Sequence, residues 1–135
     1  MEDLQNEEWK LFHTHNASCR WESTAHYKRF WWISNHGRVK ITTNYNDRVD
    51  VAHTSETGGR EGQRYLAISR DYGGKYIHKI VANNFIADHP NTEDKWVIDH
   101  IDGNTKNNHY TNLQWLTHGE NIKKSYRMKK EQQNG

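Results

Sequence analysis

Residues 97–122 read VIDHIDGNTKNNHYTNLQWLTHGENI, and this stretch decides the fold that the sequence predicts. Its apolar positions indicate a strand at 95–99, a long polar loop, a second strand at 113–116 and then a helix. Thr117 and Glu120 have the spacing of a capping box, which is typical of a helix N-terminus. A hairpin packed on that helix would bring the end of its first strand close to the first turn of the helix.

Polar side chains cluster at this expected junction. Asp99 and His100 end the first strand, and Asn121 lies in the first turn of the helix. Asp99 and Asn121 offer hard oxygen ligands of the type that Mg²⁺ prefers, and two ligands leave positions open for water and phosphate. Because imidazole titrates near neutral pH, His100 is a candidate general base for water that attacks phosphorus. The alternative for a lone histidine is a structural role in the core.

The rest of the chain predicts short strands and one further helix. The turn at 35–37, Asn-His-Gly, joins the first two of these strands. Strands are expected at 30–33, 38–41 and 65–69, a turn at 71–74, a resumed strand at 75–77, a helix at 78–86, and loops at 13–29 and 42–62.

Length and composition predict a compact domain with a thin core. The chain has 135 residues, enough for one domain or for two small modules that share a core. Only 33% of the residues are hydrophobic, which would suggest disorder if aromatic residues were scarce. Six Trp, seven Tyr and three Phe instead supply large side chains for burial.

The sequence argues against membrane, secreted and disulfide-rich classes of protein. No apolar stretch is long enough to cross a bilayer, and the acidic N-terminus lacks the apolar segment of a secretory signal. The single cysteine, Cys19, excludes an internal disulfide and favours a reducing, cytosolic setting. Three histidines near Cys19 could complete a zinc site, but their spacing is irregular and no structural zinc is expected. They are His13, His15 and His26.

Charge is distributed unevenly, although the net charge is only +2. Residues 1–62 carry 8 basic and 9 acidic side chains, whereas residues 63–135 carry 11 and 8. A basic cluster in the last helix suits contact with phosphates, and a solvated helix face is an equally open alternative. The cluster consists of Lys123, Lys124, Arg127, Lys129 and Lys130.

The motif residues resemble those of a nuclease family. Residues 97–108, 111–117 and 120–122 together resemble the HNH homing endonucleases of phages and group I introns. The resemblance is to the variant in which the second and third motif letters are Asn, here Asn112 and Asn121. Such a long ordered set of matches is far more specific than three motif letters alone.

The upstream sequence extends this resemblance over most of the chain. Residues 76–82, with Phe85 and Ile86, are similar to the family's helix before the motif. Residues 7–10 and 33–40 resemble the small DNA-associated module of the NUMOD type that often precedes this nuclease.

The resemblance implies an α+β fold and a metal-dependent activity. A ββα-metal (His-Me finger) nuclease core would occupy residues 63–135, preceded by a small antiparallel β-rich module at 1–62. The enzyme would use Mg²⁺ or Mn²⁺ to cut double-stranded DNA and leave 5′-phosphate and 3′-hydroxyl ends, and many relatives nick one strand only. The implied setting is the cytoplasm of a bacterial host, with a homing-type or free-standing phage enzyme.

The same resemblance assigns roles to four residues. His100 would be the general base, and Asp99 and Asn121 would be the metal ligands. Asn112 would hold the loop so that His100 is correctly oriented. An Asn just before a strand is also a common turn-former, and both interpretations amount to holding the loop.

Seven side chains are candidate contacts to DNA. Arg38 and Lys40 follow the turn at 35–37. For these two residues, the alternative to contact with phosphate is a solvated strand end. For His78 the alternatives are contact with phosphate or the active site, and packing. The full set is Arg38, Lys40, His78, Lys79, Lys123, Lys124 and Arg127.

Two other functions remain open for the same residues. A DNA-binding accessory or packaging protein would have weak or no cleavage, although the intact motif argues against loss of the catalytic centre. A restriction-type or toxin-type nuclease is less favoured, because zinc-binding cysteines and a secretion signal are absent. A protein partner that supplies sequence specificity is compatible with each of these functions.

Overall fold

The computed structural model describes residues 2–18, 26–58, 64–68 and 76–134. In the described part, the strands form three antiparallel sheets, ordered β1-β2-β3-β4, β5-β6 and β7-β8. With two helices, this is a mixed fold of antiparallel sheets and helices, as the predicted α+β class requires. The elements are β1 Trp9–Ser18, β2 His26–Ser34, β3 Val39–Thr43, β4 Asp50–Val51, β5 Thr54–Thr57, β6 Tyr65–Ile68, α1 Ile77–Phe85, β7 Trp96–His100, β8 Leu113–Thr117 and α2 His118–Asn134.

The predicted order of strand, loop, strand and helix is confirmed in the C-terminal part of the chain. β7 and β8 pair from Trp96 with Thr117 to His100 with Leu113, and α2 follows β8 directly. The capping box begins α2 as expected. The backbone N–H of Glu120 donates to Thr117 Oγ1 over 3.2 Å, and Glu120 Oε1 accepts from the backbone N–H of Thr117 over 3.2 Å.

Most of the upstream predictions also agree with the structure. The strands predicted at 30–33, 38–41 and 65–69 correspond to β2, β3 and β6, and the helix predicted at 78–86 corresponds to α1. The turn predicted at 71–74 lies outside the described residues. The strand predicted to resume at 75–77 is wrong at its end, because Ile77 begins α1. Tyr76 forms an isolated antiparallel bridge with Ala67.

The loop predicted at 13–29 is wrong where the structure describes it. β1 runs to Ser18 and β2 begins at His26, and the two strands pair along this whole arm with a bulge between Leu11 and His13. The half-buried positions of the outer part of β1 include two histidines and Ala17, which a hydropathy pattern does not count as strongly apolar. A strand with no apolar face gives no alternating signal, although its backbone ladder is regular.

The loop predicted at 42–62 contains two short strands in its described part. β4, Asp50–Val51, pairs with β3, and β5, Thr54–Thr57, pairs with β6. Five of the six residues in these two strands are polar, and five of the six are exposed. These residues are polar because the strands are exposed to solvent. The sequence of an exposed polar strand cannot be distinguished from that of a loop.

The buried core draws residues from both predicted segments, 1–62 and 63–135. α1 contacts strands of all three sheets and so lies at the centre of the fold. The proposed boundary at residue 62 lies outside the described residues, and the division at that point stays a prediction. The core cluster consists of Trp31, Ile33, Val39, Ala52, Ile68, Ile77, Ile80, Val81 and Leu113.

α2 is the longest helix in the described part of the chain, with 17 residues, and it is strongly polar. Ile122 and Tyr126, four residues apart on it, are both exposed. No helix within the described ranges combines the length and the apolar character that crossing a membrane requires.

The turn between β2 and β3 packs directly on the loop between β7 and β8. Gly37 has a φ angle of +86° in this turn, and its backbone N–H donates to Ser34 O over 3.0 Å. A Cβ atom at Gly37 would lie 2.8 Å from Asn108 Cβ and 3.2 Å from Asn108 O. Glycine is therefore required here both by the backbone conformation and by the close approach of the loop.

Replacing Gly37 should destabilise the fold. We expect Gly37→Ala to lower the free energy of unfolding by about 1–3 kcal/mol, because the left-handed backbone is strained and the new methyl meets Asn108. Urea unfolding measures the change. Gly119→Ala is the matched control: nothing lies within 4 Å of a Cβ there, and the helical position should gain up to about 1 kcal/mol. Equal unfolding midpoints for the two variants would contradict the prediction.

Candidate active site

The loop between β7 and β8 is closed at its base by backbone pairing. His100, the last residue of β7, pairs with Leu113, the first residue of β8. The backbone N–H of Ile101 donates to Asn112 O over 2.8 Å. The chain therefore leaves the hairpin at residue 101 and returns to it at residue 112, and these two residues lie side by side.

Asn112 and Asp102 hold this loop from within. The buried Asn112 side chain donates to Asp102 Oδ1 and to Asn107 O, both over 2.9 Å, and accepts from the backbone N–H of Asp102 over 3.0 Å. Asp102 also accepts from Asn107 Nδ2 over 2.9 Å and from the backbone N–H of Asn104 over 2.8 Å. These hydrogen bonds, that from Asn107 foremost, lower the pKa of Asp102. The sequence indicated only a long polar loop between the two strands and gave no role to the carboxylate of Asp102.

His100 is buried at the end of β7, with 5% of its surface exposed. Its Nε2 lies 2.8 Å from Asn108 Oδ1, so the ring nitrogen donates and the amide oxygen accepts. The His78 ring stands edge-on to the His100 ring at 5.2 Å, and the Tyr65 ring is stacked at 6.1 Å. The imidazole is therefore confined by two aromatic neighbours and oriented by one hydrogen bond.

Asp99 is joined to α2 and β8 through its Oδ2 atom. This oxygen accepts from Lys124 Nζ over 2.6 Å and from Gln114 Nε2 over 2.8 Å. Lys124 Nζ also donates to His100 O over 3.0 Å and to Ile101 O over 3.1 Å. The ammonium group thus ties the end of β7 to the helix and balances the buried carboxylate charge.

Asn121 lies on the same side of α2 as Lys124, because residues three apart share a helix face. Lys124 on this face reaches Asp99 at the end of β7. A carboxylate and a carboxamide are hard oxygen donors, and this donor set fits a magnesium or manganese ion that keeps water and phosphate as further ligands. The metal-ligand roles of Asp99 and Asn121 stay predictions.

The histidines considered for zinc lie on the first hairpin. His13 and His15 lie on β1, His26 begins β2, and Cys19 lies outside the described residues. Within the ranges that the structure describes, no group of three or more His, Cys, Asp or Glu side chains is arranged to hold a metal ion. The expectation of no structural zinc stays a prediction.

His78 projects from α1 into the interior, and only 5% of its surface is exposed. Burial lowers the pKa of His78 to about 3, and the charges of His100 and Lys79 add to this shift. Its Nδ1 atom is buried and has no hydrogen-bond partner among the described residues. This burial argues against contact with phosphate. The His78 ring packs in the interior and contacts the ring of His100 at the candidate site.

The other candidate DNA contacts differ in how they are held. Arg38 Nε donates to Glu7 Oε2 over 2.9 Å, and a second, shorter contact joins its Nη2 to Glu7. The Arg38 guanidinium lowers the pKa of Glu7 to about 2. Lys40 Nζ lies 4.1 Å from the centre of the Trp9 ring, and Lys79 Nζ lies 5.5 Å from that of Tyr76.

Lys123 and Arg127 are exposed on α2, whereas Lys124 is engaged by Asp99. Contact of any of the seven candidate side chains with DNA stays a prediction. Of these seven, the exposed Lys79, Lys123 and Arg127 have the access to solvent that a contact with phosphate requires.

An open groove of about 540 Å³ runs between α1 and the β7–β8 hairpin. It is lined mainly by aromatic rings and lies beside His78, with Lys79 at its margin. The lining residues are Tyr65, Tyr76, His78, Lys79, Asn83, His89, Trp96, Val97, Ile98 and Trp115.

Sequence reasoning missed two side chains that contact the site. Asn108 orients His100, and its only sequence signal was its place in an Asn-rich run at 104–108. Gln114 was read only as a strand residue, although it donates to Asp99. The pairing of Lys124 with Asp99 joins residues 25 apart, and no local pattern predicts it.

Part of this chain is similar to known HNH endonucleases. Residues 75–123, which contain α1, β7, β8 and the start of α2, match the HNH endonuclease family model. A protein of Acanthamoeba polyphaga mimivirus, named "Uncharacterized HNH endonuclease L247", is 33% identical over 91 residues. The match covers 67% of this chain and 21% of that protein. No solved structure gives a significant match. The matches support the HNH endonuclease family; the Asn variant and the NUMOD-type module stay predictions.

Removing the Lys124 ammonium should destabilise the folded protein. The side chains of Lys124 and Asp99 are only 17% and 10% exposed, so Lys124→Met leaves a largely buried carboxylate unpaired. We expect a loss of about 1–3 kcal/mol in the free energy of unfolding, measured with urea in the presence of EDTA. The adjacent exposed residue provides the control, Lys123→Met, which should change stability by less than about 0.5 kcal/mol. A Lys124→Met midpoint equal to that of the control would show that the pair contributes nothing.

Burial of His78 should make the fold less stable as the pH falls. Between the folded pKa of about 3 and the ordinary value of 6.5, the unfolded chain binds a proton that the folded protein does not. The free energy of unfolding therefore falls as the pH drops below 6.5, by about 2 kcal/mol between pH 7 and pH 5.

Urea unfolding at pH 7 and pH 5 tests this contribution. His78→Phe should lose about 2 kcal/mol less than the parent between these pH values, because its buried ring does not titrate. His53→Phe removes an exposed imidazole and should behave like the parent. An unchanged pH dependence in His78→Phe would refute the assignment.

Proposed function

We propose that the chain is a divalent-metal-dependent DNA endonuclease of the HNH type, with a ββα-metal site built from β7, the 101–112 loop, β8 and α2. One observation carries the proposal: the buried His100 lies next to Asp99 inside the segment that matches the HNH family. Lys124 of α2, one residue beyond that segment, donates to Asp99 at the same end of β7. A histidine beside hard oxygen donors suits hydrolysis of a phosphodiester.

His100 would act as the general base. Because its Nε2 donates to Asn108, the neutral ring keeps its lone pair on Nδ1. That nitrogen would take a proton from water as the water oxygen bonds to phosphorus. The bond from phosphorus to the 3′ oxygen would break and the 3′ oxygen would take a proton from solvent water, which leaves a 5′-phosphate and a 3′-hydroxyl.

Asp99 and Asn121 would hold Mg²⁺ or Mn²⁺. The ion, when bound, would stabilise negative charge on the phosphate and on the departing 3′ oxygen. Gln114 and Lys124 already orient the Asp99 carboxylate through Oδ2. Asn112 would keep the loop closed, so that His100 faces the scissile phosphate.

Double-stranded DNA would lie across the hairpin and α2. Lys79, Lys123 and Arg127 are exposed and would contact phosphates. The aromatic groove beside His78 offers apolar surface next to these charges. Arg38 and Lys40 lie on the first sheet, where a NUMOD-type module would contribute further contacts. A homing-type or free-standing phage nuclease that nicks one strand fits this arrangement, with specificity shared with a protein partner.

Cleavage of supercoiled plasmid tests the proposal. With Mg²⁺ or Mn²⁺ the parent should convert supercoiled DNA to the open circle, and EDTA should abolish this conversion. His100→Ala should cleave at least about 100-fold more slowly, because the proton acceptor is lost, with DNA affinity nearly unchanged. His53→Ala, at an exposed histidine between β4 and β5, is the control and should cleave at the parental rate.

Two outcomes would count against the proposal. Parental cleavage by His100→Ala would exclude this histidine as the base. EDTA-insensitive DNA binding with no cleavage of any plasmid would instead favour the accessory-protein function. Linear product formed without an open-circle intermediate would support double-strand cutting over nicking.

A further inference from the structure

The side chain of Asn108 makes the one hydrogen bond to the His100 ring that the described part of the structure contains. Asn108 is 3% exposed, and its Oδ1 lies 2.8 Å from His100 Nε2. A carboxamide oxygen can only accept, so this contact requires the hydrogen of the neutral imidazole to be on Nε2. His78 and Tyr65 contact the ring through their faces and edges and leave its tautomer undetermined.

We propose that Asn108 is a positioning residue for the reaction: it holds His100 in the Nε2–H tautomer, with Nδ1 as the proton acceptor. The inference deepens the proposed function and rests on His100 being its base. Asn108 does not touch the reacting atoms in this arrangement. It acts through the imidazole, as the partner of a catalytic or metal-binding histidine commonly does.

The nitrogen of the Asn108 side-chain amide shows by contrast that the oxygen is the atom that acts on His100. The Nδ2 atom of Asn108 is buried and has no hydrogen-bond partner among the described residues. A buried donor left unpaired costs about 1–3 kcal/mol, so the amide nitrogen makes no favourable hydrogen bond to offset its burial. Only the amide oxygen forms a hydrogen bond among the described residues, and its partner is His100.

The first sheet holds Asn108 from the outside. The β2–β3 turn approaches so closely that a Cβ on Gly37 would lie 2.8 Å from Asn108 Cβ. Two residues further along the loop, the backbone N–H of Tyr110 donates to Asn35 O over 2.9 Å. The rings of His36 and His109 meet edge-on at 4.4 Å. The N-terminal sheet therefore packs against the residue whose side chain is hydrogen-bonded to the His100 imidazole.

Two substitutions at Asn108 distinguish a role in positioning His100 from a purely structural role. Asn108→Leu keeps the volume and removes the acceptor, whereas Asn108→Asp keeps an oxygen towards Nε2 and replaces the unpaired donor. Nitrogen-15 NMR of the side-chain imidazoles reports which ring nitrogen of His100 carries hydrogen. Plasmid cleavage under single-turnover conditions and DNA titration separate the chemical step from binding. Asn16→Leu, an exposed asparagine on β1, is the matched control.

We expect the parent and Asn108→Asp to have hydrogen on Nε2, and Asn108→Leu to lose this preference. The cleavage rate of Asn108→Leu should fall about 10- to 100-fold with DNA affinity unchanged, and Asn108→Asp should recover most of the rate. Asn16→Leu should match the parent in every measurement. If Asn108→Leu does not fold, Asn108→Ala, which removes the same acceptor with a smaller side chain, replaces it in each measurement.

Three results would overturn the inference. The first is hydrogen on Nδ1 of the parent, with Nε2 accepting from a reversed amide. The second is a parental cleavage rate in Asn108→Leu, which leaves the nuclease function intact and removes Asn108 from it. The third is a tautomer that is the same in Asn108→Leu and the parent. A parent that never cleaves DNA would instead refute the proposed function, while the tautomer measurement still decides whether Asn108 sets the state of His100.

Discussion

The loop between β7 and β8 is held closed by hydrogen bonds to Asn112 and Asp102, and the geometry of the site depends on these bonds. Its residues are mostly polar, so burial of apolar surface does not fix its shape. The Asn112 side chain instead satisfies backbone and side-chain groups at both ends of the loop. Since a buried amide that loses its partners is costly, the network has essentially one favourable arrangement. That arrangement sets where Asn108 and His100 meet.

The rest of the fold supports this loop from three sides. Lys124 joins α2 to the start of the loop through Asp99 and two backbone carbonyls. α1 carries His78 against the His100 ring, and the β2–β3 turn packs on Asn108. Polar contacts from α2 and packing contacts from α1 and the β2–β3 turn therefore meet at this loop. The thin core, centred on α1, holds the three sheets in the positions that these contacts require.

The sequence predicted the elements of the site better than the contacts within it. The strand, loop, strand and helix of the C-terminal part follow from short apolar runs and from the capping box of Thr117 and Glu120, which are local signals. The pairing of Asp99 with Lys124 depends on the docking of α2, which local signals do not specify. The outer part of β1 was predicted as a loop because histidine and alanine occupy its half-buried positions. In both cases the prediction would have required knowledge of contacts between residues that are far apart in the sequence.

The bulge between Leu11 and His13 has a consequence for the behaviour of the protein in concentrated solution. β1 is an outer strand of the described four-stranded sheet, so one row of its backbone groups is not paired within that sheet. A flat strand in this position would be a template for adding a strand from another molecule. The extra residue twists the strand and interrupts its hydrogen-bonding row, which discourages edge-to-edge aggregation. The irregularity therefore makes this edge of the sheet a poorer template for the addition of a further strand.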